Sequence, residues 1–283
     1  MKTRALLFIV LTALAALTAL TKVSAATNSF EPIGDARVID LPGYLNNNYV
    51  SDILSCYTES SGLNTQRTFI QFDLSSITLA PTQVVQSATL TLTAYTGFGT
   101  NTGFQPMEIY RVVAPWSEAG LTWSNRDATH TWTTPGGDFV GRGGQPYSIS
   151  TASATNNQPV AWDVTALVQE WVTHASTNYG LLLKSESGNH LCFNQREVGI
   201  AALRPNLTVI VGPGLPPFHA YPSSGQVVLW WTNANVVLQE KTNLDPNVLW
   251  SDSGRTVTTA NGSNSVTISS PTGKNFFRLR SGP

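Results

Sequence analysis

Two alternating stretches of the sequence carry side chains of the types that bind sugars. Arg67, Phe69 and Gln71 share one side of the first stretch, and Tyr95 lies on the polar side of the second, among threonines. Aromatic rings stack on the C–H face of a pyranose, while guanidinium and amide groups hydrogen-bond its hydroxyls and carboxylates. Strand alternation also points Trp230, near the C-terminus, outward. The sequence therefore predicts a polysaccharide-binding surface that uses these five residues.

This prediction requires the two stretches to be neighbouring strands with exposed aromatic side chains. The alternative is that a loop such as residues 97–103 covers Phe69 and Tyr95, which makes them part of the interior. Both interpretations fit the same alternation, and the sequence leaves them open.

Residues used in catalysis are present, but their spacing matches no catalytic motif. There is no His-Glu-x-x-His, phosphate-binding loop, dinucleotide fingerprint or Gly-x-Ser-x-Gly, and the four histidines lie far apart. The candidate carboxylates for acid–base chemistry are Glu118, Asp127, Asp138, Asp163 and Glu170. Local spacing brings no two of them together, so we expect a non-catalytic protein. The alternatives are a structural or adhesive surface protein without a sugar pocket, and a polysaccharide-degrading enzyme.

Oxygen-bearing side chains near one predicted strand suggest a metal site. Asp35, Asp40 and the asparagines at 46–48 offer the ligands that Ca²⁺ prefers, although no EF-hand pattern is present. The sequence requires no cofactor and allows a structural calcium ion at Asp35 and Asp40. The alternative is an ordinary solvated turn.

Residues 1–25 have the pattern of a secretory signal peptide. Lys2 and Arg4 precede an apolar run over Leu6–Leu20, and small residues follow up to Ala25. The run is short for a membrane span. We therefore expect cleavage after Ala25, a secreted protein, and no membrane partner after cleavage.

The charge balance limits the partners of the secreted chain. The full sequence has 16 basic and 17 acidic residues, a net charge of −1, and only 12% charged residues. Cleavage removes three basic residues and no acid, which leaves a net charge of −4. This excludes a basic stripe for nucleic acid, so an anionic partner would have to meet local cations.

The two cysteines, Cys56 and Cys192, are an even number in an expected oxidising compartment. The sequence therefore favours a disulfide between them, which would close a long loop and stabilise the fold by roughly 4–5 kcal/mol. The alternative is two separately buried thiols.

Short alternating segments separated by glycine-rich turns predict an all-β chain in two domains. A Pro/Gly-rich linker at 212–217 separates a β-sandwich at 26–211 from a small antiparallel β domain at 218–283. One short helix is expected after Asp163, with Leu167, Val168 and Trp171 on its buried face.

The large domain resembles the DNRLRE-domain family, also classed as carbohydrate-binding module family 96. The resemblance covers about residues 30–211 and rests on an ordered set of segments: Thr68–Ile77, Ser87–Leu92, Ile109–Val112, Trp116–Trp123, Asp163–Trp171, Asn178–Leu181, Phe193–Glu197 and Arg204–Leu207. It implies a secreted jelly-roll β-sandwich, with binding of acidic polysaccharides such as alginate in some members. Gln195 departs from the family pattern, where a small serine is expected.

The small domain resembles a C-terminal β module common on secreted bacterial proteins, with an immunoglobulin-like or fibronectin-III-like fold. The resemblance rests on Val228–Trp231, Leu238–Gln239, Thr242–Leu244, Trp250 and Phe276–Leu279. Trp231 matches the core tryptophan of that module, and Trp230 stands where a small polar residue is usual.

Overall fold

The structure is a computed structural model that describes most of the chain. It covers residues 25–50, 53–59, 62, 64–96, 104–152, 155, 157–186, 188–232, 236–244, 249–260, 263–269 and 274–281. The predicted signal peptide up to residue 24 and the predicted loop at 97–103 lie outside these residues. None of the helices described there is both long and apolar enough to cross a membrane.

Twelve strands and one α-helix form the larger part of the molecule. The strands are β1 Ala26–Phe30, β2 Gly34–Asp40, β3 Leu54–Thr58, β4 Thr65–Gln71, β5 Gln83–Tyr95, β6 Gln105–Val112, β7 Phe139–Val140, β8 Ser148–Ala152, β9 Pro159–Asp163, β10 Leu181–Lys184, β11 Leu191–Phe193 and β12 Asn206–Pro213. The helix α1 spans Thr165–Thr173.

The strands form two antiparallel layers joined at one end. The first layer has the order β1-β12-β5-β9, and the second has β2, β4, β10 and β6 side by side, with β7 and β8 on β6. β11 pairs with β5 and with β3, and β3 pairs with β4. The predicted all-β, jelly-roll-like sandwich with one short helix is therefore confirmed.

The main hydrophobic core fills the space between the two layers. Leu90 and Leu92 of β5 face Ile70 of β4 and Leu181 of β10, and all four are fully buried. Helix α1 closes the core with Leu167, Val168 and Trp171. It begins at Thr165, whose N–H and hydroxyl donate to Asp163 Oδ1 at 2.9 and 2.6 Å.

A second hydrophobic layer lies on the outer face of the second sheet. It contains sheet residues such as Phe69 and Leu182 together with three tryptophans of the segment 113–140: Trp116, Trp123 and Trp132. This segment contains β7 and one short 3₁₀ turn, Glu118–Gly120. One face of the sandwich is therefore covered by protein rather than by solvent.

The C-terminal part is a small antiparallel β domain. Its strands are β13 Phe218–Ser223, β14 Gln226–Thr232, β15 Val236–Lys241, β16 Ser251–Asp252, β17 Thr258–Ala260, β18 Ser263–Ser269 and β19 Phe276–Ser281. They form two sheets, β13-β14-β18-β17 and β16-β15-β19. Trp231 is buried in their shared core with Leu229, Leu238 and Leu279, as strand alternation predicts.

Strand β12 extends further than the sequence predicts. It includes Gly212 and Pro213, the first two residues of the predicted linker, which pair with Val84 and Gln83. A Cβ atom at Gly212 would lie 2.7 Å from the amide end of the Gln86 side chain, which would have to shift to make room. Pro213 is tolerated because it ends the strand, where its missing N–H breaks no further pairing.

Candidate functional site

The predicted sugar-binding surface is wrong in its central aromatic residue. Phe69 points to the outer face of β4, as the alternation predicts, but none of its surface is exposed. Trp132 stacks on its ring at 5.2 Å and Trp116 contacts it edge-on at 5.6 Å. The cover is the segment 113–140, so Phe69 is a core residue that cannot stack on a sugar.

A glycine pair brings this cover into contact with the sheet. Gly136 and Gly137 have φ angles of +84° and +117°, which L-residues with a side chain rarely adopt. A Cβ at Gly137 would lie 2.6 Å from Phe69 Cζ, and one at Gly136 would lie 2.6 Å from the Trp123 ring. The backbone therefore reaches the aromatic rings only because both residues lack a side chain.

The other predicted sugar-binding residues do not form one surface. β4 and β5 are not neighbours, since β11 and β3 lie between them, and Tyr95 pairs with Cys192 on β11. Gln71 ends β4 opposite Gly34, four residues away from Arg67. Trp230 lies in the C-terminal domain, partly exposed, and stacks on His219 at 4.3 Å. Of the five, only Arg67 belongs to the surface described next.

Two cations and two aromatic rings meet at the edge of the covered face, in a group we call the basic–aromatic patch: Arg67, Tyr110, Phe139 and Lys184. Phe139 lies between the cations, with its ring centroid 5.3 Å from Arg67 Cζ and 5.8 Å from Lys184 Nζ. Lys184 Nζ also lies 5.2 Å from the Tyr110 ring, which contacts Phe139 edge-on at 5.1 Å. All four side chains are partly exposed.

The strand register explains why these residues meet. Leu182 on β10 pairs with Phe69 on one side and Tyr110 on the other, so the three share the outer face. Lys184 lies two residues after Leu182 on β10, and Arg67 lies two residues before Phe69 on β4. Because strand residues two apart point to the same side, both share that face. On this outer face, the buried residues Phe69 and Leu182 are thus followed by the charged residues Arg67 and Lys184, which lie where the covering segment 113–140 ends.

The charges of the patch are only partly compensated. Arg67 Nη1 donates to Gly136 O at 3.0 Å, but its buried Nε has no hydrogen-bond partner among the described residues. Burial lowers the pKa of Arg67. The Lys184 ammonium donates to Glu186, whose own side chain is 64% exposed. The Lys184 ammonium is therefore held by an exposed carboxylate, while the buried Arg67 Nε–H has no acceptor among the described residues.

The hydroxyl of Tyr110 is directed toward Glu108, which pairs with Lys184 across strands β6 and β10. It donates to Glu108 Oε2 at 2.8 Å, and burial, together with that carboxylate, raises the pKa of Tyr110 to about 12. The phenol is therefore neutral near pH 7, and its ring face stays beside Lys184. An anion can pair with the exposed side of these cations, and the flat face of a sugar ring can lie on the exposed parts of the aromatic rings.

A second cluster of charged side chains lies near the start of β2. Arg196 donates to Glu118 twice, from Nε to Oε1 at 3.1 Å and from Nη2 to Oε2 at 2.6 Å. It also pairs with Glu197 at 2.8 Å, and its backbone N–H donates to Asp35 Oδ2 at 2.9 Å. At position 195, where the family pattern has serine, the side-chain oxygen of Gln195 accepts a hydrogen bond from the Glu197 N–H at 2.6 Å.

Asp35 is the buried member of this acidic cluster. The pKa of Asp35 is raised to about 7, mainly by burial; the neighbouring Glu197 and Glu118 contribute to this rise, and the Arg196 N–H and guanidinium oppose it. The second predicted calcium ligand, Asp40, is not part of the cluster. It ends the same strand, five residues later, and therefore points to the opposite face about 17 Å away.

The predicted disulfide between Cys56 and Cys192 is wrong. The two residues lie on the paired strands β3 and β11, where Leu191 pairs with Cys56 and Cys192 pairs with Ser55. Paired residues share a face and successive residues alternate, so the two thiols point to opposite faces of the sheet. Both are buried and no disulfide joins them. The Cys56 thiol instead donates to Leu183 O at 3.2 Å.

These observations define the molecule as an all-β sandwich with one covered outer face, followed by a small antiparallel β domain. The chain belongs to the family described as the disaggregatase related repeat domain, a β-rich family whose model matches residues 45–209, more than half of the sequence. The match covers most of the stretch that resembles the DNRLRE-domain family. No curated protein is similar enough in sequence to count as a match.

Sequence reasoning missed three of the four patch residues. Tyr110 and Lys184 lie on strands that the sequence predicts, but only the order β4-β10-β6 brings them beside Arg67. Phe139 lies outside the segments that carry the family resemblance, in a stretch rich in glycine at 136–144. The sequence did contain one hint of the patch: lysine is rare after residue 25, and Lys184 is one of only three lysines there.

Proposed function

We propose that this protein is a secreted, non-catalytic carbohydrate-binding protein whose basic–aromatic patch binds acidic polysaccharide. The observation that carries the proposal is the position of Phe139 between the Arg67 guanidinium and the Lys184 ammonium. In this arrangement a uronate carboxylate would meet two cations while the C–H face of its ring lies on an aromatic side chain.

The charge pattern supports an acidic rather than a neutral glycan. Near the C-terminus of β10, Lys184 and Arg67 lie side by side in a protein whose net charge is negative. Two neighbouring cations favour a carboxylate over a neutral hydroxyl, because hydrogen bonds between charged groups are roughly twice as strong as those between neutral groups. The resemblance to the DNRLRE-domain family points in the same direction, since some of its members bind alginate.

The arrangement of the carboxylates favours binding over hydrolysis. Glycoside hydrolysis needs two carboxylates facing each other across an open site. Three described carboxylates that lie close together, Asp35, Glu118 and Glu197, surround Arg196, and the side chain of Asp35 has no exposed surface. The carboxylates near the patch hold Tyr110 and Lys184 instead.

Affinity electrophoresis of the chain without residues 1–25 tests this function. Gels containing alginate or polygalacturonate should retard the protein, and gels containing a neutral glucan should not. Equal mobility in all gels would contradict the proposal. Release of reducing ends, or an increase in absorbance from an unsaturated product, would instead identify a polysaccharide-degrading enzyme.

A further inference from the structure

Three carboxylates from distant parts of the sequence converge in the acidic cluster. Asp35 opens β2, Glu118 lies in the 3₁₀ turn of the covering segment, and Glu197 follows β11. One oxygen of each lies within 4.8 Å of the others. Oxygens bound to one Ca²⁺ at 2.3–2.6 Å lie up to about 5 Å apart, so this spacing already suits a shared ion.

The cluster carries more negative than positive charge. Arg196 is the cation that the structure places against all three carboxylates, with Nη2 2.6 Å from Glu118 and 2.8 Å from Glu197. Its Nε lies 3.9 Å from Asp35 Oδ1, which is too far for a hydrogen bond. With all three carboxylates ionised, as metal binding requires, they and the one guanidinium leave two negative charges, which is the charge that one divalent cation neutralises.

An unsatisfied oxygen points into this cluster. Asp35 Oδ2 accepts the Arg196 N–H, but Oδ1 is buried and has no hydrogen-bond partner among the described residues. The Asp35 side chain has no exposed surface. A buried carboxylate oxygen without a partner is costly, and a metal ion would satisfy it.

We propose that Asp35, Glu118 and Glu197 bind one divalent cation of the calcium type, with Asp35 Oδ1 as the buried ligand. The Arg196 guanidinium, whose side chain is 32% exposed, moves toward solvent when the ion binds. Glu118 and Glu197 are 20% and 31% exposed, which leaves room for the water ligands that complete the coordination of Ca²⁺. The site is separate from the basic–aromatic patch and does not depend on carbohydrate binding.

Trp116 provides a direct optical readout. A Cβ built on Gly34 would lie 3.7 Å from Trp116 Cη2 and 3.7 Å from Glu118 Cβ, so the indole lies beside the proposed ligands. Terbium replaces calcium at oxygen sites, and its luminescence rises when a nearby tryptophan is excited. Metal-stripped protein should show saturable terbium luminescence that Ca²⁺ competes away.

Two variants and a matched control decide the proposal. Asp35→Asn and Glu197→Gln should each weaken Ca²⁺ competition by about tenfold or more, because each removes one charged ligand. Glu197 is partly exposed, so its variant should fold even if the Asp35 variant does not. Asp40→Asn makes the same change on the same strand outside the cluster and should compete like wild type. The absence of saturable luminescence in wild type, or equal competition in Glu197→Gln, would overturn the proposal.

Discussion

Lys184 and Glu186 form an ion pair at the basic–aromatic patch. The pair lies on one strand end, with Lys184 only 15% exposed and Glu186 64% exposed. A carboxylate from a ligand would therefore compete with a carboxylate of the protein. The ion pair therefore favours acidic over neutral ligands. An acidic ligand that displaces Glu186 gives Lys184 a new negative partner, whereas a neutral ligand does not.

Removing the internal competitor should strengthen binding of an acidic glycan. Glu186→Gln frees the Lys184 ammonium, and exposed ion pairs contribute about 0.2–1 kcal/mol. The dissociation constant for a uronate oligosaccharide should fall by about two- to fivefold, as measured by calorimetric titration. Glu59→Gln is the control, since it removes a surface carboxylate that no observation places at the patch. Weaker binding by Glu186→Gln would show that Glu186 contacts the ligand itself.

The two cysteines should behave as thiols. Alkylation in denaturant without reductant should add two carbamidomethyl groups to the intact mass, because Cys56 and Cys192 face opposite sides of the sheet. In the native protein Cys56 should react slowly, since burial raises its pKa to about 12 and leaves almost no thiolate. An intact mass that gains no alkyl groups in denaturant would show that a disulfide is present.

Gly137 should tolerate no side chain. Gly137→Ala forces a Cβ to within 2.6 Å of Phe69 Cζ at a φ of +117°. Strain and overpacking together should lower the free energy of unfolding by about 2–4 kcal/mol. Chemical denaturation measures this against Gly143→Ala, which has a φ of +61° but no atom within 4 Å of its Cβ. Equal losses in the two variants would mean that the covering segment is not packed on Phe69.

Tyr110 should make the fold sensitive to alkaline pH. Its pKa in the folded protein is raised from 10.0 to about 12, so between these values the unfolded state releases a proton that the folded state retains. The free energy of unfolding should therefore fall as pH rises from about 10 to 12. Tyr110→Phe should reduce the slope of this fall, measured by denaturation at several pH values, although Cys56 contributes a similar slope. An unchanged slope in the variant would contradict the raised pKa.

Local pattern predicts the strands well, because alternation depends only on neighbouring residues. The outward side of β4 and the inward position of Trp231 both follow from it. What covers an outward residue is a different question. The segment 113–140 lies more than 40 residues after Phe69, and nothing in the spacing of its tryptophans indicates which sheet face they cover.

The same limit applies to both groups of charged side chains. The sequence predicts Asp35 as a candidate calcium ligand but pairs it with Asp40, since both belong to one strand. Its actual neighbours, Glu118 and Glu197, come from segments 83 and 162 residues away. The disulfide prediction fails for a related reason. It rested on an even number of cysteines and an oxidising compartment, and neither reveals the sheet face on which each cysteine lies.

The most direct test of the central claim is a calorimetric titration of Lys184→Gln with a uronate oligosaccharide. Lys184→Gln removes one of the two cations beside Phe139, and charge-assisted hydrogen bonds contribute about 1.5–3 kcal/mol, so the affinity should fall at least tenfold. Lys274→Gln, the same substitution at an exposed residue of the C-terminal domain, should bind like wild type. If Lys184→Gln and wild type bind with equal affinity, the basic–aromatic patch is not the carbohydrate site.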